Sequence, residues 1–220
     1  EDIADSAGIT DVGRSWSSAW GDFDGDGLPD VWIVNHQDPI SLYLNLGDGT
    51  FTNIAPLIED PGFLDIYDAH GAAWADFDND GFKDLFVSNG FKRDIASKDS
   101  SKKISDMIRK EGGKRFSEFV DYIPTKKVSN YIFKNNTDLT FTDKTNNWGL
   151  KIDVNSNGAA YGDFDNDGDL DLVVSNINDP AMLFRNNQSE NNFIDLKLYG
   201  KLNMFGSKVE ILDSESYQKL

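Results

Sequence analysis

The sequence has no cysteine, two histidines among 220 residues and few basic side chains, and each shortage closes a route. Without cysteine there is no thiolate nucleophile, no zinc-thiolate site and no disulfide staple. The same absence does not separate a cytosolic home from a disulfide-free bacterial exterior. His36 and His70 border strand-like runs, with no nucleophile or metal partner nearby in sequence, and read as polar loop residues. No apolar run reaches the roughly 20 residues that span a bilayer, and Glu1 does not open a signal peptide, so the segment reads as soluble. Lys plus Arg total 21 against 38 Asp plus Glu, a net charge of −17. Such a surface repels nucleic-acid phosphates and anionic lipid and favours cations or basic partners.

The acid is not spread evenly. "GDFDGDGLPDVWIVN" (21 to 35), "ADFDNDGFKDLFVSN" (75 to 89) and "GDFDNDGDLDLVVSN" (162 to 176) align without a gap, three units of one design. A lead-in of small and aromatic residues (Ala19-Trp20, Ala73-Trp74, Ala160-Tyr161) precedes each acidic loop, and a β-branched, apolar run follows it. That pattern predicts strand, loop, strand. Third strands are expected at "SLYLN" (41 to 45), "NYIFKN" (130 to 135) and "AMLFRN" (181 to 186), and fourth strands at 49 to 55 and 139 to 145. Trp20 and Trp74 share the repeat position held by Tyr161 and are expected in the core.

Each loop carries aspartate at relative positions 1, 3, 5 and 9 and glycine at 6. Oxygen at that spacing suits a hard cation, because calcium takes six to eight oxygens and a glycine permits the sharp turn between ligands. The expected ligands are Asp22, Asp24, Asp26 and Asp30 with the carbonyl of Leu28; Asp76, Asp78, Asp80 and Asp84 with that of Phe82; and Asp163, Asp165, Asp167 and Asp171 with that of Asp169. An EF-hand would need a following helix and a glutamate at position 12. Here that position holds Ile33, Val87 and Val174, inside apolar strands, so position 9 must close the site. Bare Asp- and Gly-rich turns need one or two such residues, not four in register three times.

At these residues the units resemble the FG-GAP and VCBS-type calcium repeats of integrin-like β-propellers, above all those of the cartilage acidic protein family and its bacterial relatives. "LYLNLGDGTF" (42 to 51) is similar to an outer-strand segment of that family and "NGAAYGDFDNDGDLDLVVSN" (157 to 176) to an inner one. The resemblance implies an all-β fold: a β-propeller fragment of about three four-stranded blades, within a secreted or surface propeller of about seven. It also implies a calcium ion in each loop. Residues 1–190 are assigned to the repeats, and 191–220, with alternation at Ile194, Leu196 and Leu198 and at Val209 and Ile211, resembles the start of an ASPIC/UnbV domain. Because "EDIADSAGI" (1 to 9) matches "TDKTNNWGL" (142 to 150), the chain is expected to be cut from a longer array and to expose unpaired edges.

The middle unit departs from its neighbours through an insertion, residues 90–129, where the outer units have four residues. Ile104, Met107 and Ile108, then Phe116, Phe119, Val120 and Ile123, predict two short amphipathic helices broken at Gly112-Gly113 and stopped at Pro124. The insertion holds eleven basic residues against six acidic ones. Lys102, Lys103, Arg109, Lys110, Lys114 and Arg115 are its candidate contacts for an acidic glycan or protein patch, if they are not simply a solvated face over the blade. In a meander the calcium loops and the insertion lie on opposite edges. The expected function is a non-enzymatic, calcium-stabilised module at the cell surface, outside the cell or in the periplasm. A lyase-like propeller enzyme and a structural spacer are the alternatives.

Overall fold

The run after each acidic loop combines β-branched and aromatic residues, which suit a pleated strand buried on both faces. The computed structural model describes residues 2–11, 13, 15–35, 38–58, 63, 66, 69–90, 98–111, 123, 125, 127–188, 191, 199, 210–212 and 217–219. In it these runs become the second strand of three successive antiparallel sheets. The first sheet is β1 (Ser15–Gly21), β2 (Asp30–Asn35), β3 (Ser41–Asn45) and β4 (Phe51–Asn53), in that spatial order. The second opens with β5 (Ala69–Ala75) and β6 (Asp84–Asn89). Helix α1 (Lys98–Glu111) and the short β7 (Val128–Ser129) intervene before the sheet closes with β8 (Tyr131–Asn135) and β9 (Phe141–Asp143). Strand β10 (Asp153–Val154) pairs with β7, an addition that the repeat pattern did not announce. The third sheet is β11 (Ser156–Gly162), β12 (Asp171–Asn176) and β13 (Met182–Phe184), three strands among the described residues. Farther on, β14 (Glu210–Leu212), which contains Ile211, pairs with β15 (Tyr217–Lys219).

Side-chain alternation along β6 shows how the sheets stack. Leu85 and Val87 join a buried cluster with Trp32, Val34 and Leu42 of the first sheet, while Phe86 joins Ile132, Leu172 and Val174 toward the third. Each such side chain contributes about 1.5–3 kcal/mol by leaving water. Strand β5 lies beside both β1 and β11, so the innermost strands are neighbours and the sheets are laid out as the blades of a β-propeller.

Stacking also corrects one sequence expectation. Trp74 is buried at 3% exposure between Phe23 of the preceding loop, on which it stacks, and Phe141 of its own fourth strand, whereas Tyr161, which meets Phe77 edge-on, is 46% exposed. Trp20, whose ring meets Phe51 of its own fourth strand, is 56% exposed, so burial at this position takes an aromatic from the preceding loop and one from the fourth strand together. Phe164 is 52% exposed, whereas Phe23 and Phe77 are covered by Trp74 and Tyr161 of the following unit.

The insertion hangs on an unaltered stem. Asn35 Nδ2 donates to the Pro39 carbonyl (2.8 Å) and Asn176 Nδ2 to that of Pro180 (2.7 Å), each closing the short link between second and third strands. Asn89 Nδ2 donates to the Ser129 carbonyl (3.1 Å) across the whole insertion. The first predicted helix is present as α1, with Ile104 buried, Met107 half-buried and Ile108 exposed. The second helix falls outside the described residues except for Ile123, which is buried. His36 and the alternation at 194, 196, 198 and 209 also lie outside them, whereas His70 stands within β5 and stacks on Trp16 at 5.2 Å.

Candidate metal centre

Each acidic loop folds around its own first aspartate. Asp22 accepts the amides of Gly25 and Gly27 (both 2.9 Å), Asp76 those of Asp80 (3.0 Å) and Gly81 (2.9 Å), and Asp163 those of Asp167 and Gly168 (both 3.1 Å). Wrapping the chain this tightly requires left-handed backbone at positions 4 and 6. Gly25, Asn79 and Asn166 (φ 77°, 55° and 60°) supply the first, and Gly27, Gly81 and Gly168 (φ 88°, 94° and 93°) the second. Glycine and asparagine tolerate that region best. The position-4 requirement was missed in the sequence, although its alternation between Gly and Asn signals it.

The ninth-position aspartates are buried struts. Asp30 accepts the amides of Phe23 (3.1 Å) and Asn45 (2.9 Å), Asp84 those of Phe77 and Asn135 (both 3.0 Å), and Asp171 those of Phe164 (3.0 Å) and Asn186 (2.8 Å). They tie the start of each loop to the end of the third strand. Burial pushes the Asp30 carboxyl up to about 6 and that of Asp84 up to about 8, against the pull of those amides and with the help of neighbouring loop carboxylates. Burial likewise raises Asp24 and Asp76 above the usual range.

Asp22, Asp24 and Asp30 bring one oxygen each to within 4.8 Å of one another, as do Asp76, Asp78 and Asp84, and Asp163, Asp165 and Asp171. Two ligands on opposite sides of a calcium ion, each at about 2.3–2.6 Å, lie no more than about 5.2 Å apart, so the donor sets match the ion in kind and reach. Asp78 Oδ1 is buried without a hydrogen-bond partner, an oxygen that an ion would satisfy. The fifth-position aspartates stand outside these triplets. Asp26, Asp80 and Asp167 accept the amides of Leu28 (2.7 Å), Phe82 (3.0 Å) and Asp169 (3.2 Å), the position-7 residues expected to offer carbonyls.

Among the described residues, two cations touch the loops. Lys134 Nζ donates to Asp78 Oδ2 and to Asp80 Oδ2, the latter at 2.5 Å. Partial burial pushes Lys134 down, but these bonds outweigh it and hold the ammonium above its ordinary pKa. Arg185 pairs with Asp165 (2.7 Å) and Asp167 (3.1 Å). Both also line a cleft of about 600 Å³ between the second and third sheets, with Phe77, Trp148 and Phe184 on its walls. The loops are joined to one another as well. Asn135 Nδ2 donates to the Phe23 carbonyl and Asn186 Nδ2 to the Phe77 carbonyl (both 2.6 Å), and Asn79 Nδ2 reaches Asp169 Oδ1 (2.8 Å).

The basic candidates sit elsewhere. Lys102, Lys103, Arg109 and Lys110 are exposed on α1, Arg109 lies 3.9 Å from Asp106, and Lys114 and Arg115 fall outside the described residues. Lys127, at the end of the insertion, bonds Asp179 (2.8 Å) in the link between β12 and β13, at the opposite end of β12 from the acidic loop.

A family model of FG-GAP-like repeats matches residues 22–87 and 118–174. Among curated proteins, the chain is similar to cartilage acidic protein 1 of human, 31% identical over 87% of this chain and 25% of the relative. Mouse cartilage acidic protein 1 is 29% identical over 98% of this chain and 30% of its own length. The Xenopus tropicalis protein is 27% identical over 85% and 33%. The chain thus spans a quarter to a third of the length of these relatives.

Proposed function

Since the chain belongs to the FG-GAP-like repeat family, we propose that it is a calcium-stabilised interaction module that works outside the cell and performs no chemistry of its own. The observation that carries this reading is the threefold recurrence of one aspartate triplet within ligand reach of a common ion. Asp22, Asp24, Asp26 and Asp30, their counterparts in the second and third loops, and the carbonyls of Leu28, Phe82 and Asp169 would hold the ions. A bound ion would neutralise the loop carboxylates. The chain's own part is to fix those carboxylates through amide hydrogen bonds and to couple the loops through Asn135 and Asn186. Modules of this kind bind calcium in the millimolar range found outside cells, which is what motivates the extracellular assignment.

The partner surface lies at the other end of the strands. Lys102, Lys103, Arg109 and Lys110 offer exposed positive charge on a chain of net charge −17, suited to an acidic glycan or an acidic protein patch. Equilibrium dialysis against calcium tests the first half, with about three ions per chain expected from the three triplets. Retention on heparin, lost when the four basic residues become glutamine and weakened by salt, tests the second. Steady depolymerisation of an acidic polysaccharide would instead make the protein a lyase.

A further inference from the structure

The three acidic loops are alike in sequence but are faced by different residues from the third strand. Pairing of Val31 with Tyr43, Leu85 with Phe133 and Leu172 with Phe184 makes Leu44, Lys134 and Arg185 occupants of one repeat position. In the second loop that position bonds the carboxylates of Asp78 and Asp80, and in the third it pairs with those of Asp165 and Asp167. In the first loop it is a leucine packed against the core. We infer that Lys134 and Arg185 are built-in counter-ions, so that of the three loops the first, faced by Leu44, takes calcium most tightly and depends on it most.

This inference rests on the calcium reading above, and its physical basis is charge and ligand competition. Four aspartates folded together repel one another, and a cation must offset that repulsion for the loop to keep its shape. The second and third loops carry one on their own strand, and calcium must bind beside it or displace it. A unit positive charge within a few ångströms of a divalent ion weakens binding by roughly tenfold even where screening is strong. Lys134, three-quarters buried, cannot swing away as freely as the largely exposed Arg185, so the second loop is the weakest of the three. Lys134 engages Oδ2 of Asp78 and leaves Oδ1 unpartnered, so that loop keeps an oxygen for an ion despite its lysine.

Calorimetric titration of calcium into the 1–220 chain, compared with Lys134→Met, Arg185→Met and Leu44→Lys, reads this directly. The unmutated chain is expected to show one tight site and two weaker ones. Each methionine variant should tighten one weak site by about tenfold and melt lower than the unmutated chain in calcium-free buffer, with calcium restoring it. Leu44→Lys should lose the tight site, and if it fails to fold the two methionine variants still decide the matter. Isotherms of the methionine variants that superimpose on that of the unmutated chain overturn the inference alone. No calcium uptake by the unmutated chain overturns the calcium reading itself.

Discussion

Asp84 shows how much one carboxylate holds together. It is fully buried, and its two oxygens accept the amides of Phe77 and Asn135, joining loop, second strand and third strand. Asp84→Ala strands two buried donors, at about 1–3 kcal/mol each, and should lower the free energy of urea unfolding by about 2–5 kcal/mol. The same burial makes stability depend on pH. The folded-state values of Asp84 and Asp30, about 8 and about 6, exceed those of an unfolded aspartate, so without calcium the folded state binds more protons across that interval. The stabilisation is complete below the unfolded value and is lost as pH rises through the folded ones. The urea midpoint of the calcium-stripped chain should therefore fall from pH 5 to pH 8. Calcium favours the ionised form and should flatten or reverse that fall. These aspartates were legible in the sequence because their type is invariant across the units. Lys134 was not, because its relation to Asp78 and Asp80 is set by strand register, more than fifty positions away.

Element by element, the three strand-loop-strand cores and both fourth strands lie where the repeat alignment placed them, because β-branched, apolar runs and the turn residues that bound them agree there. Trp20 escaped the pattern since burial at this position takes aromatic partners from both the preceding loop and the fourth strand, which alternation along its own strand does not encode. The pairing of β7 with β10 was illegible for a similar reason: two residues on each side carry too little pattern. For the insertion, the Asn89–Ser129 bond reproduces the closures made by Asn35 and Asn176. Deleting residues 92–127 should thus leave the second sheet standing. Its melting temperature in calcium is expected to stay within about 4 °C of the intact chain, the equivalent of about 1–2 kcal/mol, while retention on heparin disappears. A deletion that unfolds the chain would make the insertion a packing element of the blade.

Across the whole molecule, stability comes from sheets clamped to one another as much as from the sheets themselves. The Asn135 and Asn186 amides cross from one sheet to the loop of the sheet before it, and Asn45 holds the same position in the first unit. Asn135→Ala should cost about 1–3 kcal/mol by orphaning the Phe23 carbonyl, detectable as earlier urea unfolding with an unchanged calcium stoichiometry. Ions in the loops would add to this clamp, since a ligand that binds only the folded state stabilises it by about 2.7 kcal/mol per site at a hundredfold excess over its Kd. The most direct test of whether calcium stabilises the scaffold is calorimetric melting of the same chain in excess chelator, in millimolar calcium and in millimolar magnesium. The expected result is a melting temperature higher in calcium than in chelator by about 8 °C or more, at about 2–4 °C per kcal/mol, with magnesium restoring less than half of it. Superimposable melting curves in chelator and calcium would contradict it.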